Sequence, residues 1–161
     1  MLIPCFANGY QVEHTERLRH SFHALTGRDL IDPMLSPQAA AEALFYAPFV
    51  VLSHDTAPDP ILTYGNQTAL KLFALTWEEL TRMPSRLTAE APNRAERARL
   101  LAEVTAHGFI DNYSGVRISS TGQRFLIGRA TVWNLSDDKG YPYGQAATFR
   151  EWQLVEDTEC G

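Results

Sequence analysis

Ser53-His54-Asp55 sets the three side-chain types of a hydrolase triad in consecutive positions. The triplet ends a short apolar run, Phe49-Val-Val-Leu-Ser53, whose length and β-forming residues predict a buried strand. Adjacent strand residues point to opposite faces, so Ser53 and His54 cannot pair as nucleophile and base. No Gly-x-Ser-x-Gly elbow occurs in the sequence. The triplet reads as a polar strand end. Glu16, His20 and His23 share one face of a predicted helix, at spacings that suit metal ligation. That face lies opposite Leu18, Phe22 and Leu25 and points to solvent, so no metal site is assigned. Acid–base chemistry on a small molecule would need a carboxylate or histidine inside a pocket. Asp111 and His54 are the two that could serve, and the strand pattern turns neither clearly inward. No catalytic residue is assigned, and the chain is not read as an enzyme.

A different set suits binding. Asn66, Gln67, Tyr113, Arg117, Arg129, Trp133 and Gln145 are polar or amphipathic residues on predicted core elements. Arg129 carries the most weight, because strict alternation places it on one strand face with Phe125, Ile127 and Trp133. A buried guanidinium must find carboxylate or carbonyl partners. Either Arg129 forms an internal ion pair, with Asp111 or Glu90, or it anchors an anion in a cavity between helices and sheet. Trp77, Trp133 and Trp152 are packing residues first and ring platforms for a ligand second.

These side chains depend on a particular series of elements. Residues 11–26 predict an amphipathic helix, with Thr15, Leu18, Phe22 and Leu25 on one face and Gly27 as its stop. Ser36-Pro37 caps a second helix over 38–46. Strands follow at 49–53 and 61–64, separated by a proline-containing loop. Ala69, Leu70 and Phe73 mark the inner face of a short helix. Thr76-Trp-Glu-Glu79 is a capping box for another, over 77–82. Asn93-x-x-Glu96 opens a longer helix with Ala98, Leu101 and Val104 inward, closed by His107-Gly108. Three long β segments complete the chain, at about 109–119, 123–135 and 143–155, with a bulge at Ser114-Gly115. This order gives an α+β fold: a five-stranded antiparallel sheet with short helices on one face and an N-terminal amphipathic helix. Residues 1–35 form the leading helix and connector, and 36–157 the main domain. The stretch Phe125–Leu135 is apolar on both sides, so both sheet faces need cover. The helical cluster 66–107 suits one face. The leading helix suits the other, in its own chain or across a dimer.

At 161 residues, 45% hydrophobic and 20% charged, the chain suits one domain with a sizeable core. A net charge of -5, a pI near 5.5 and the lack of any basic run argue against direct nucleic-acid binding. No apolar stretch approaches the roughly 18 residues of a membrane span, and Met1–Phe6 is too short for a secretory signal. Cys5 and Cys160 exclude a disulfide framework or a Cys-x-x-Cys metal site by count and spacing. A terminus-to-terminus bridge stays open, but two free thiols in a reducing cytoplasm are the preferred reading. A cytoplasmic location is expected.

The layout of two strands, short helices, a longer helix and three long strands resembles that of PAS domains. Tyr64-Gly-Asn66, Ala69, Leu72-Phe73 and Thr76-Trp-Glu-Glu-Leu80 look like the stretch that begins the PAS helical segment. Arg117-x-x-x-x-Gly122 and Asp137-x-x-Gly140 fall where PAS hairpins turn. More narrowly, Ala47-Pro-Phe-Val-Val-Leu-Ser-His54 and Tyr64-Gly-Asn-Gln-x-Ala69 resemble the MEKHLA family of PAS-like domains. So do Asp111-x-Tyr-Ser-Gly-x-Arg-Ile-Ser119, Val132-Trp-Asn-Leu135 and Gly144-Gln-Ala-Ala147. The string Met-Glu-Lys-His-Leu-Ala itself is absent. The resemblance runs from the leading helix to about Trp152.

That family occurs as small stand-alone bacterial proteins and as the C-terminal region of plant class III homeodomain–leucine-zipper transcription factors, where it is viewed as regulatory. No homeodomain or zipper precedes the matching stretch in this sequence, so control of an attached DNA-binding module is not carried over. The resemblance implies a sensory or regulatory domain binding a small molecule in a cavity between helices and sheet. A ligand-free interaction module is the second reading, and a small-molecule isomerase or lyase the third. A homodimer is the expected assembly. The covalent flavin chemistry of light-sensing relatives needs a cysteine in the helical region, and Trp77–Glu96 contains none. Non-covalent flavin and haem stay open. Haem would need an inward axial histidine, and His54 and His107 read as capping or surface residues.

Overall fold

The computed structural model describes residues 2–156. Two α-helices lead, α1 (Val12–Thr26) and α2 (Pro37–Phe45), followed by strands β1 (Val50–His54) and β2 (Leu62–Gly65). Helices α3 (Gln67–Phe73), α4 (Trp77–Leu80) and α5 (Ala91–His107) come next, with a 3-10 turn at Ser85–Thr88 before α5. Strands β3 (Phe109–Ile118), β4 (Arg124–Ser136), β5 (Pro142–Phe149) and β6 (Glu151–Val155) follow. The sheet is antiparallel in the order β2-β1-β5-β4-β3, and β6 extends the line of β5 along β4.

Local chemistry sets most element ends. Ser36 Oγ accepts from the Ala39 amide at 3.2 Å, and Thr76 and Glu79 cap one another's backbone at 3.1 and 2.9 Å. Gly27, at φ 72°, stops α1 in the left-handed region. Helix α5 begins earlier than the Asn93 signal suggests. Glu90 is its N-cap, and Pro92 lies in the first turn, where the missing N–H goes unmissed. Leu100 and Val104 face the core with Arg97 and Leu101 beside them, and Ala98, expected inward, is exposed.

Both sheet faces are covered within one chain. Helices α1 and α2 lie on one face, where Leu18, Phe22, Leu44 and Phe45 pack with Val51, Tyr64, Trp133 and Leu135. Phe22 meets Trp133 edge-on, with ring centroids 4.9 Å apart. Helices α3 and α4 bury Ala69, Phe73 and Leu80 against Val50, Leu52, Phe125 and Ile127 on the other face. Helix α5 adds Leu100 and Val104 against Val132.

Strict alternation fails along β4. Ile127 and Ala130, three residues apart, share a face with Phe125, and on the neighbouring line so do Phe149 and Trp152. The cause is a paired bend. Arg129 has φ 51°, and opposite it Arg150 separates β5 from β6, so the predicted single strand 143–155 is two. Beyond the bend the parity is inverted, with Val132 toward α5 and Trp133 and Leu135 toward α1. A left-handed non-glycine residue costs about 1–2 kcal/mol, which the packing on both sides of the bend must offset. Arg129 itself points outward. Its side chain is 78% exposed and lies 3.7 Å from Glu151, not beside Asp111 or Glu90. Asp111 pairs with Arg28 and Glu90 with Arg124. The expectation of a buried guanidinium at Arg129 is overturned, because it rested on an unbroken two-residue period.

The bulge expected at Ser114-Gly115 is present, as a register shift between Tyr113 and Gly115. A second shift lies between Ile110 and Tyr113, where Asn112 takes φ 58°, a conformation asparagine tolerates. Cys5 is half-buried. Cys160 and the domain boundary placed at 157 lie outside the described residues. Among the described residues no helix is long and apolar enough to cross a membrane.

Candidate functional site

A cavity of about 70 Å³ lies between α5 and the sheet face it covers. Leu52 and His54 of β1, Ile127 and Val132 of β4, and Ala147 and Phe149 of β5 line it from the sheet. Arg97, Leu100 and Leu101 of α5 line it from the helix, with Thr88 from the preceding turn. Tyr113 and Arg117 come from β3.

Two arginines are among the residues that line this void. Arg117 is 7% exposed; its Nη1 donates to the Val116 carbonyl at 2.9 Å and its Nη2 to the Tyr113 hydroxyl at 3.1 Å. Arg97 donates to Ser85 Oγ at 3.0 Å. Among the described residues neither has a carboxylate within 4.0 Å. Burial, and next the charge of Arg117, pull Arg97 down to about 10, so it stays charged at neutral pH. The Tyr113 hydroxyl donates to Glu96 at 2.9 Å, so the phenol bridges Arg117 and a carboxylate. Gly115 makes room for this contact. A Cβ there would fall 2.3 Å from the Tyr113 hydroxyl and 3.1 Å from Arg117 Nη1.

His54, expected at a polar strand end, is buried. Its Nδ1 donates to the Asp55 carbonyl at 2.8 Å, which fixes the tautomer and leaves Nε2 an acceptor; among the described residues that atom has no partner. Burial lowers its pKa, the bond to Asp55 opposes this, and the charge of Arg97 lowers it further. His54 is held neutral. Gly144 lets β5 pass close beside it, since a Cβ there would fall 2.0 Å from the His54 carbonyl oxygen.

Of the seven residues expected in a binding site, Tyr113, Arg117 and Gln145 line this cavity. Gln145 Nε2 is also within reach of the Leu101 carbonyl (3.2 Å), Thr105 Oγ1 (3.0 Å) and Asn134 Oδ1 (3.0 Å), and so ties α5 to the sheet. Asn66 is buried elsewhere, as the N-cap of α3. Gln67 starts that helix and is half-buried. Trp133 lies on the α1 face. Arg129 lines a surface cleft of about 350 Å³ with Arg28 and Arg150. Arg97 is the lining residue the sequence did not offer, and His54 was offered for acid–base chemistry but not as part of the binding set. The signal for Arg97 was its place three and four residues before Leu100 and Leu101. For His54 it was the alternation with Val50 and Leu52.

Another histidine is buried on the opposite face. His14 of α1 is 2% exposed, its Nε2 lies 2.9 Å from Ser53 Oγ, and its ring stacks on Tyr64 at 5.5 Å. Its Nδ1 faces the Tyr143 hydroxyl at 3.4 Å instead of a carboxylate, so no triad is assembled. Asp111 sits at the surface, bonded by Thr131 and Arg28. On the outer face of α1, His20 pairs with Glu16 at 3.1 Å and His23 with Asp29 at 3.2 Å. Among the described residues no three His, Cys, Asp or Glu side chains gather as metal ligands would. A cavity of about 70 Å³ also has no room for a flavin ring system or a porphyrin, which need pockets of several hundred cubic ångström.

This architecture defines a PAS-type module. With a TM-score of 0.57 at 14% identity, it is similar to the PAS domain of a Colwellia psychrerythraea protein, over 71% of this chain and 92% of that one. A light-oxygen-voltage domain studied with a flavin analogue gives 0.56 at 17% identity, over 73% and 84% of the two chains. Likeness at such identities shows the fold alone. The profile of the MEKHLA domain matches residues 12–154, and the chain belongs to that family. The homeobox-leucine zipper protein ATHB-14 of Arabidopsis thaliana is 26% identical over 142 residues. The match covers 86% of this chain and 17% of that relative's own length.

Proposed function

We propose that the chain is a sensory or regulatory domain, not an enzyme, that takes up a small molecule between α5 and the sheet. One observation carries this reading: apolar walls with Arg97, Arg117, Tyr113 and His54 converging on a single void. A fold selected only as a scaffold gains by filling such a void, because unfilled space forfeits packing contacts and buried guanidinium groups are expensive. Fold membership adds weight, since light-oxygen-voltage relatives are receptors by name.

The dimerisation reading was built on the α1 stripe, and that stripe covers the chain's own sheet. A homodimer, still the proposed assembly in a cytoplasmic setting, must use another face. Native mass spectrometry of freshly purified full chain tests both points. A small adduct lost on denaturation is expected, and Ala147→Leu, which fills the cavity, should abolish it while the protein stays folded. An adduct that persists unchanged in the folded Ala147→Leu variant would place the ligand elsewhere and sink this assignment.

A further inference from the structure

The charges around the cavity constrain what can enter it. We propose that it receives a small organic monocarboxylate, held by Arg97 and Arg117 at its charged end and by Leu100, Ile127 and Phe149 along its apolar body. This rests on the ligand-binding reading above and adds the chemical class.

Arg97 and Arg117 line the void from different elements, α5 and β3, so their meeting there follows from tertiary structure and not from sequence adjacency. Each carries five N–H bonds. Among the described residues Arg117 places two of them on protein acceptors and Arg97 one. Two like charges therefore stand at one largely apolar void, and among the described residues neither has a carboxylate within 4.0 Å. Glu96 meets the Tyr113 hydroxyl, not a guanidinium. A carboxylate supplies the missing charge and accepts in the planar, paired geometry that guanidinium groups favour.

Size and lining narrow the class. A void of about 70 Å³ suits a small ligand. Inorganic phosphate would fit by size, but its four oxygens would press some of their number against Leu100, Ile127 and Phe149 without partners. A short aliphatic acid presents oxygen at one end only.

The test is calorimetric titration of the full chain with isobutyrate, its uncharged isostere isobutyramide, and inorganic phosphate. Isobutyrate should bind at least tenfold more tightly than either. Arg97→Gln and Arg117→Gln should each weaken isobutyrate at least tenfold while leaving the amide within threefold. Backbone amide shifts on adding isobutyrate should centre on residues 97–101, 113–117 and 145–149. If either variant fails to fold, the acid-to-amide ratio in the unaltered protein still decides. Amide binding as tight as acid binding overturns the carboxylate assignment and leaves a neutral-ligand cavity standing. Shifts confined to the surface cleft of Arg28, Arg129 and Arg150 overturn the location. Failure of acid, amide and phosphate alike, with no adduct on the purified protein, removes the cavity reading as well.

Discussion

Asn66 uses its whole side-chain hydrogen-bonding capacity on backbone. Its Oδ1 accepts from the amides of Val51 (3.2 Å) and Ala69 (3.1 Å), and its Nδ2 donates to the carbonyls of Leu44 (3.0 Å) and Phe49 (2.8 Å). One buried residue thus caps α3 and joins the end of α2 to β1. Asn66→Asp preserves the shape but turns an oxygen toward two carbonyls, so a loss of roughly 3 kcal/mol or more is expected from urea unfolding. An unchanged midpoint would show that these four bonds hold nothing. The sequence marked Asn66 as polar on a core element, but the identity of its partners is a tertiary fact. The same limit explains the exchange of arginines. Arg129 is inward only under a period that one left-handed residue breaks, while Arg97 shares a helix face with Leu101 and Val104, and a charged residue on that face reads as solvent-exposed. Tyr113 and Arg117, amphipathic residues on a predicted core strand, line the cavity.

At the scale of elements, α1 is docked through a titratable group. His14 sits against Ser53, Tyr64 and Tyr143, and burial, followed by the charge of Arg17, lowers its pKa from 6.5 to about 4. Between those values the unfolded chain binds the extra proton and the folded chain does not, so stability falls as pH drops from about 6.5 toward 4 and levels off below. The size follows from 1.36 kcal/mol per unit, on the order of 3 kcal/mol across the window. His54, also lowered, adds a slope of the same sign. Comparing urea midpoints at pH 7.5 and 4.5 in the wild type and in His14→Gln isolates the α1 contribution. Equal losses in the two proteins would mean that His14 does not report helix docking. Element ends fixed by local chemistry, such as the Thr76 box and the Ser36 cap, were legible in the sequence. The docking of α1 was legible only as an apolar stripe, because a histidine on a helix gives no sign of which wall it will meet.

The whole molecule is a sheet with a hollow on one side and dense packing on the other. Strands β1, β4 and β5 serve both sides at once: Val132 lines the cavity while Trp133 packs on Phe22, and Ala147 lines it while Ala146 joins the α1 core. Under the proposed ligand binding, the path from the hollow to α1 is a single peptide unit. This arrangement requires α1 to be part of the folding unit and not an appendage. Removing residues 1–27 would uncover Tyr64, Trp133 and Leu135, all 1% exposed or less in the full chain. Loss of Leu18 and Phe22 together removes more apolar packing than a Phe→Ala substitution, which alone costs about 3–5 kcal/mol in a core, against total stabilities of about 5–15 kcal/mol. The truncated chain is expected to lose its cooperative thermal transition and to sediment as aggregate. A monomer that melts cooperatively near the full chain's temperature would show that the α1 face is dispensable, and the short path from cavity to helix would have no structural basis.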